Sequence, residues 1–167
     1  MAALEQAGCR DVHVLYSALR GRDGIVDPAL ASFLSFDRYK YAISEVPFRE
    51  KWNLSIVRDH AREQALYDRL VKKPRYVICH LESREFRFKF EMKVSSDVQV
   101  IHIHEATDCI FDWLTLLERA EMLMMIDSCF ANLVEQLNIP TKKLFIHRSP
   151  AAFSPVLIND WSFLRGT

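Results

Sequence analysis

The chain has 167 residues, half of them hydrophobic and 26% charged, and its 22 Lys and Arg balance 22 Asp and Glu. That is the composition of one folded domain with an adequate core. Zero net charge gives no basic footprint of the kind that holds nucleic acid. Of four glycines, none lies between Gly24 and Gly166. The gap excludes a Walker A loop, a dinucleotide G-x-G-x-x-G turn, a G-x-S-x-G elbow and an EF-hand loop, each of which needs glycine.

The start of the chain shows no apolar signal segment, and no run is long enough to span a membrane. Cys9, Cys79, Cys109 and Cys129 form no C-x-x-C pair. A zinc knuckle is therefore not expected; buried free thiols in a reducing cytoplasmic compartment are.

In chain order, Val12–Leu19 reads as a strand or short helix, Gly21-Arg-Asp-Gly24 as a turn and Pro28–Leu34 as one or two helical turns. The aromatic stretch from Phe36 to Trp52 has no clean period and reads as an irregular wrap. From Leu54 to Val71, Leu54, Val57, Ala61, Ala65 and Leu66 or Leu70 recur at helical spacing. Arg58, Asp59, Arg62, Glu63 and Asp68 fill the opposite face. Lys72-Lys73-Pro74 closes this helix and marks a change of rhythm.

Tyr76–His80 is then a short buried strand. Phe86–Met92 alternates strictly and predicts a half-exposed strand. Val98–His104 is another strand. Ile110–Ala120 is helical, with Asp108 as its N-cap. Met122–Ile126 is a fully apolar strand that feeds a helix Cys129–Leu137 through Asp127 and Ser128. Leu144–Ile146 is the last clear strand, and the tail with Trp161 and Phe163 packs back on the body.

Apolar strands alternating with helices predict an α/β fold. The expected form is a Rossmann-like, mainly parallel sheet flanked by helices, covered on both faces, over residues 74–167. Residues 1–73 would be a helical and irregular lead.

Ligands of open parallel sheets gather at the carboxyl ends of the strands. Those ends carry His80, Glu82 and Ser83; His104, Glu105 and Thr107; Asp127 and Ser128; and His147, Arg148 and Ser149. Asp127 and Ser128 open a helix, whose free N–H groups can hold an anion without glycine, or serve as a simple cap. His102 and His104 alternate, so both imidazoles would share one face, an arrangement suited to a metal with Glu105 or Asp108 as a possible third ligand; no further ligand spacing supports it, and the blander reading is one histidine satisfied by hydrogen bonds and one at the pocket rim. Cys129 at a helix start with His80 or His147 is a conceivable nucleophile pair. Arg84, Arg87 and Lys89 read as a solvated face, and Arg148 as a phosphate ligand.

The run from Ile110 through Met122-Leu-Met-Met-Ile-Asp127-Ser128 to Leu137 resembles the donor-side domain of GT-B glycosyltransferases, in particular heptosyltransferase-like members. Phe36-Asp-Arg-Tyr-Lys-Tyr, Val46-Pro-Phe, Lys51-Trp and Arg58-Asp resemble an uncharacterised group of bacterial glycosyltransferase-like proteins. The resemblance implies a nucleotide-sugar donor as substrate, no further cofactor and no bound metal. It places Asp127 and Ser128 on the donor, His80 and Ser83 near its sugar or phosphate, and Thr107 and Phe111 near base or ribose. His104, His147 and Arg148 complete the candidate donor set, and no catalytic residue is assigned.

In the heptosyltransferase pattern glycine follows Asp-Ser; here Cys129 stands there. A two-domain enzyme would also need an acceptor-side domain or a second copy of the chain, so this chain reads as a fragment of a larger enzyme acting on an unknown acceptor. A non-catalytic interaction domain, adhesive through Phe36–Trp52, is the alternative.

Overall fold

A computed structural model of the chain describes residues 35–53, 55–83, 86–90, 92–147 and 155–165. The elements expected before Phe36, and Cys9, Arg84, Arg148 and Ser149, lie outside the described residues. The described residues form two compact units: one holds 35–53 with 155–156, the other those after Leu54 up to His147 with those from Leu157 on.

In the first unit the expected irregular wrap is helical. Helix α1 spans Phe36–Ile43, and a 3₁₀ helix spans Phe48–Trp52. Eight residues are too few for an apolar period to declare itself. Lys51, 3% exposed, donates from Nζ to Asp37 Oδ2 at 2.6 Å and to the Val156 carbonyl at 2.6 Å. Burial alone would raise the Asp37 carboxyl. Lys51 and the Val156 N–H outweigh it, and the group titrates below the ordinary range. Tyr39 is fully buried. Tyr41, Phe48 and Trp52 pack edge to face at 5.4 and 5.3 Å.

The second unit is built on five parallel strands: β1 Arg75–His80, β4 Val98–His102, β5 Met122–Ile126, β6 Lys142–His147 and β7 Trp161–Arg165. A two-residue antiparallel pair, β2 Glu82–Ser83 with β3 Phe86–Arg87, stands apart from the sheet. The sheet order is β4-β1-β5-β6-β7. Numbered by their succession in the chain, the five run 2-1-3-4-5, the order of flavodoxin-like sheets. The Rossmann-like α/β arrangement expected from the sequence is therefore present.

Helices α2 His60–Leu70, α3 Leu114–Arg119 and α4 Cys129–Leu137 supply Leu66, Leu116 and Val134 to one core. Alternate strand residues Tyr76, Ile78, Ile101, Leu123, Met125 and Phe145 meet them there. The opposite face carries Cys79, Leu81, Met124, Ile126 and Ile146. Phe88 and Met92 pack against that face, and the three helices contribute nothing to it. Cover by helices on both faces is thus not what the described residues show. The crossover from β1 to β4, where a helix is usual, holds the β2–β3 pair instead. The strand expected over Phe86–Met92 accordingly stops at Arg87.

The tail forms a fifth strand. Glu135, 1% exposed, accepts hydrogen bonds from the Ile158 and Asn159 N–H groups at 2.8 and 3.2 Å and from Trp161 Nε1 at 2.8 Å. A buried carboxylate thereby seats β7 beside β6.

Helix α2 departs most from expectation. It begins at His60 because Asp59 caps it, accepting from the Arg62 N–H at 3.1 Å. Val57 is 97% exposed, and Ala61 and Ala65 are exposed as well. The buried stripe is Glu63 and Leu66, flanked by the half-buried Tyr67 and Leu70. Glu63 was expected in solvent. Its carboxylate instead accepts from the Thr115 N–H at 3.1 Å and the Thr115 hydroxyl at 2.6 Å, at the start of α3. Arg58 joins it, donating to both Glu63 oxygens at 2.9 and 2.5 Å and to both Glu118 oxygens at 2.7 and 2.9 Å. Burial pushes the Glu63 carboxyl up, but Arg58 and Thr115 prevail and hold it below its ordinary 4.5.

Two outcomes follow for stability. Arg58→Ala leaves a buried carboxylate without its cation and lowers the unfolding free energy by about 3 kcal/mol in urea titration. Below pH 4.5 the unfolded chain takes up the Glu63 proton before the native state does. This contribution is complete above that pH and is lost as the pH falls through the native value. Glu63→Gln should therefore flatten the acid limb of stability against pH; an unchanged limb would show that Glu63 is not linked to folding.

Candidate functional site

The first crossover takes the chain to one side of β1, and the next brings β5 to the other side. The resulting switch point lies at the carboxyl end of β1, where open α/β sheets hold their ligands. His80 ends β1, opposite Met125 of β5. The Ile103 N–H donates to the Cys79 carbonyl at 2.9 Å, which keeps the β4 exit alongside.

A cavity of about 960 Å³ opens at this point. From the β1 exit it is lined by His80, Glu82, Ser83 and Arg87. From the β4 exit it is lined by Ile103, His104, Glu105, Thr107 and Asp108. Ile110, Trp113 and Phe130 close it. Its size falls within the roughly 300–1,000 Å³ of small-molecule sites.

Both histidines are held by aromatic contacts. The His80 ring meets Phe130 edge-on at 4.9 Å, Phe130 meets Trp113 at 6.1 Å, and Trp113 meets His104 at 6.4 Å. His80 Nδ1 shares a 2.9 Å hydrogen bond with Ser128 Oγ. Ser128 is the N-cap of α4 and accepts from the Ala131 N–H at 3.4 Å. His104 Nδ1 lies 2.9 Å from the His102 carbonyl oxygen.

The wall formed by the β4 exit is fixed from behind. Arg62 of α2 donates from Nε to Asp112 Oδ1 at 2.9 Å and from Nη2 to Asp112 Oδ2 at 2.8 Å. It also pairs with Asp108, and the Thr107 hydroxyl donates to Asp112. Arg69 holds the Ala106 carbonyl. The hydrogen bonds from Arg62 draw the Asp112 and Asp108 carboxyls below their ordinary range. Asp108, expected to cap the next helix, is occupied by Arg62. Cys109 stands at the N-cap position of a 3₁₀ turn, Ile110–Trp113, that leads into α3.

Of the residues singled out from the sequence, His80, Glu82, Ser83, His104, Glu105, Thr107 and Asp108 line one cavity, and Ser128 reaches it through His80. Asp127 is buried, 4% exposed, at the end of β5 and is not among the lining residues. Phe111 is 42% exposed and is passed over in favour of its neighbours Ile110 and Trp113. His147 ends β6 and stacks on Phe163 of β7 at 5.7 Å, away from this lining.

His102 and His104 do not share a site. The strand ends at His102, so alternation ceases there. His102 faces Cys79 and Leu81, while His104 joins His80. Among the described residues no group of three or more His, Cys, Asp or Glu side chains is arranged to hold a metal. Cys129 is exposed, contrary to the expected burial of the thiols, and the histidine bonded at the start of α4 is paired with Ser128. Trp113, Phe130 and Arg87 were not singled out as ligand contacts. Their side chains look like core or surface in the sequence, and only the fold brings them to the cavity.

No helix among the described residues is long and apolar enough to cross a membrane. No family model, curated protein or solved structure matches the chain.

Ser128→Ala removes the cap of α4 and the partner of His80 together. Expected are a loss of about 1 kcal/mol and a displaced His80 ring signal in ¹⁵N NMR, with no such displacement in Cys129→Ala. An unmoved His80 signal would disconnect the two side chains.

Proposed function

We propose that this chain is a glycosyltransferase-like α/β domain whose switch-point cavity binds a nucleotide-sugar donor. The observation that carries the proposal is the convergence on one cavity of two positioned histidines, two hydroxyls and a buried aromatic floor. That mixture suits the parts of such a donor. Phe130, half-buried and backed by the buried Trp113, offers apolar surface to a base or a sugar ring. The carboxylates of Glu82, Glu105 and Asp108 suit the hydroxyls of ribose and sugar. His80 and His104 donate to diphosphate oxygens when protonated, and the Thr107 and Ser83 hydroxyls do so in any state. In a transfer reaction these donors would stabilise the departing diphosphate. The acceptor and the base that deprotonates it are not assigned.

The reading as an interaction domain rests on exposed rings between Phe36 and Trp52. Tyr39 is buried and the next three rings pack on one another, so the cavity supports the donor reading better.

Melting of the full chain with a panel of UDP-, GDP-, ADP- and CMP-sugars tests the proposal. A ligand at ten times its Kd should raise Tm by about 3–6 °C. His80→Ala should abolish the rise, whereas Cys129→Gly should enlarge it by opening the start of α4. If no nucleotide sugar stabilises the protein at millimolar concentration, the proposal fails.

A further inference from the structure

A second cavity, of about 570 Å³, lies across the β2–β3 pair from the first. The two share Glu82, Arg87 and Ile103 as a common wall. Its floor belongs to the sheet face that the helices leave to Phe88 and Met92. Cys79 and Leu81 point there by strand alternation, as does His102. A hollow of about 150 Å³ continues it past Val100 to Met92.

The walls are aromatic. Phe88 and Phe90 stack with centroids 6.1 Å apart and planes 19° apart. Phe90 remains 43% exposed beside the opening, an apolar ring that has not been put to use in the core. Burial pushes the Cys79 thiol up to about 11, so at neutral pH the floor carries no thiolate. Among the described lining residues the charged side chains, Glu82, Arg87 and Lys89, are all exposed. Glu82 holds Arg87 at 2.7 Å, and both are exposed. With that pair balanced, the exposed Lys89 is the remaining cation among the described lining residues.

We propose that this cavity is a second binding site and takes an amphipathic aromatic anion. A flat ring system packs against Phe88, Phe90 and Leu81, and its anionic group lies at Lys89. The stacked rings favour a planar partner over a branched aliphatic one, because offset stacking adds to area burial. A mostly apolar lining with a few polar groups at one end is the usual build of such sites. The site stands independently of the nucleotide-sugar reading.

Two fluorescent probes of the full chain test it: 1-anilinonaphthalene-8-sulfonate and its uncharged counterpart N-phenyl-1-naphthylamine. The sulfonate should bind saturably at one per chain, with near-UV circular dichroism unchanged. Phe90→Ser, at an exposed position, should weaken both probes by about tenfold. Lys89→Glu should weaken the sulfonate by about fivefold and leave the uncharged probe alone. His80→Ala and added nucleotide sugar should leave both affinities unchanged. Unsaturable binding, or affinities that neither Phe90→Ser nor Lys89→Glu alters, would overturn the second site whatever the donor panel shows.

Discussion

The buried carboxylate of Glu63 is the constraint on which the organisation of the larger unit turns. It satisfies the Thr115 N–H and hydroxyl at the start of α3, and Arg58 neutralises it while reaching Glu118 on the same helix. A buried charge on its own would be costly, and this one has hydrogen bonds from both sides. One residue earlier on α2, Arg62 performs the reverse pairing with Asp112 and Asp108. Two charge clusters of opposite arrangement therefore lock α2 onto the segment between residues 107 and 118. That segment is also the wall of the first cavity. Positioning of the candidate site and attachment of the preceding helix are consequences of the same contacts.

The sheet explains why the cavities fall where they do. With the second strand on one side of β1 and the third on the other, the chain parts at the carboxyl end of β1. A helix in the first crossover would cover the second sheet face. The short β2–β3 pair covers less, and it divides the space around His80 from the space around His102. Glu82 and Arg87, paired across it, are common to both sides. The same substitution of a hairpin for a helix leaves one sheet face to Phe88 and Met92 among the described residues.

Much of the candidate site was legible before the structure. The rule of strand ends named His80, Ser83, His104 and Thr107, and each lines the cavity. It also named His147, which the same rule places at a strand end but two strands away from β1. Strand ends are local, whereas strand order is not, so the sequence could not say which ends would meet. Phe111 was named by the resemblance alone. In the 3₁₀ turn its neighbours Ile110 and Trp113 line the cavity instead. His102 and His104 part company for a related reason: alternation holds only while the strand lasts, and His104 alone reaches the cavity around His80.

Apolar runs of three to five residues specified β1, β5 and β6, because no other placement hides them from water. Ser128 before an amphipathic run specified the start of α4, since an orphaned N–H needs an acceptor. These are properties of short segments, and the sequence alone determines them. The fifth strand, the inward face of α2 and the two cavities depend on partners far along the chain. Trp161 becomes a strand residue because Glu135 receives its indole, and Glu63 turns inward because Arg58 and Thr115 meet it there. Buried polar groups follow their hydrogen-bond partners more than their own hydropathy, and those partners are assigned only when the chain has folded.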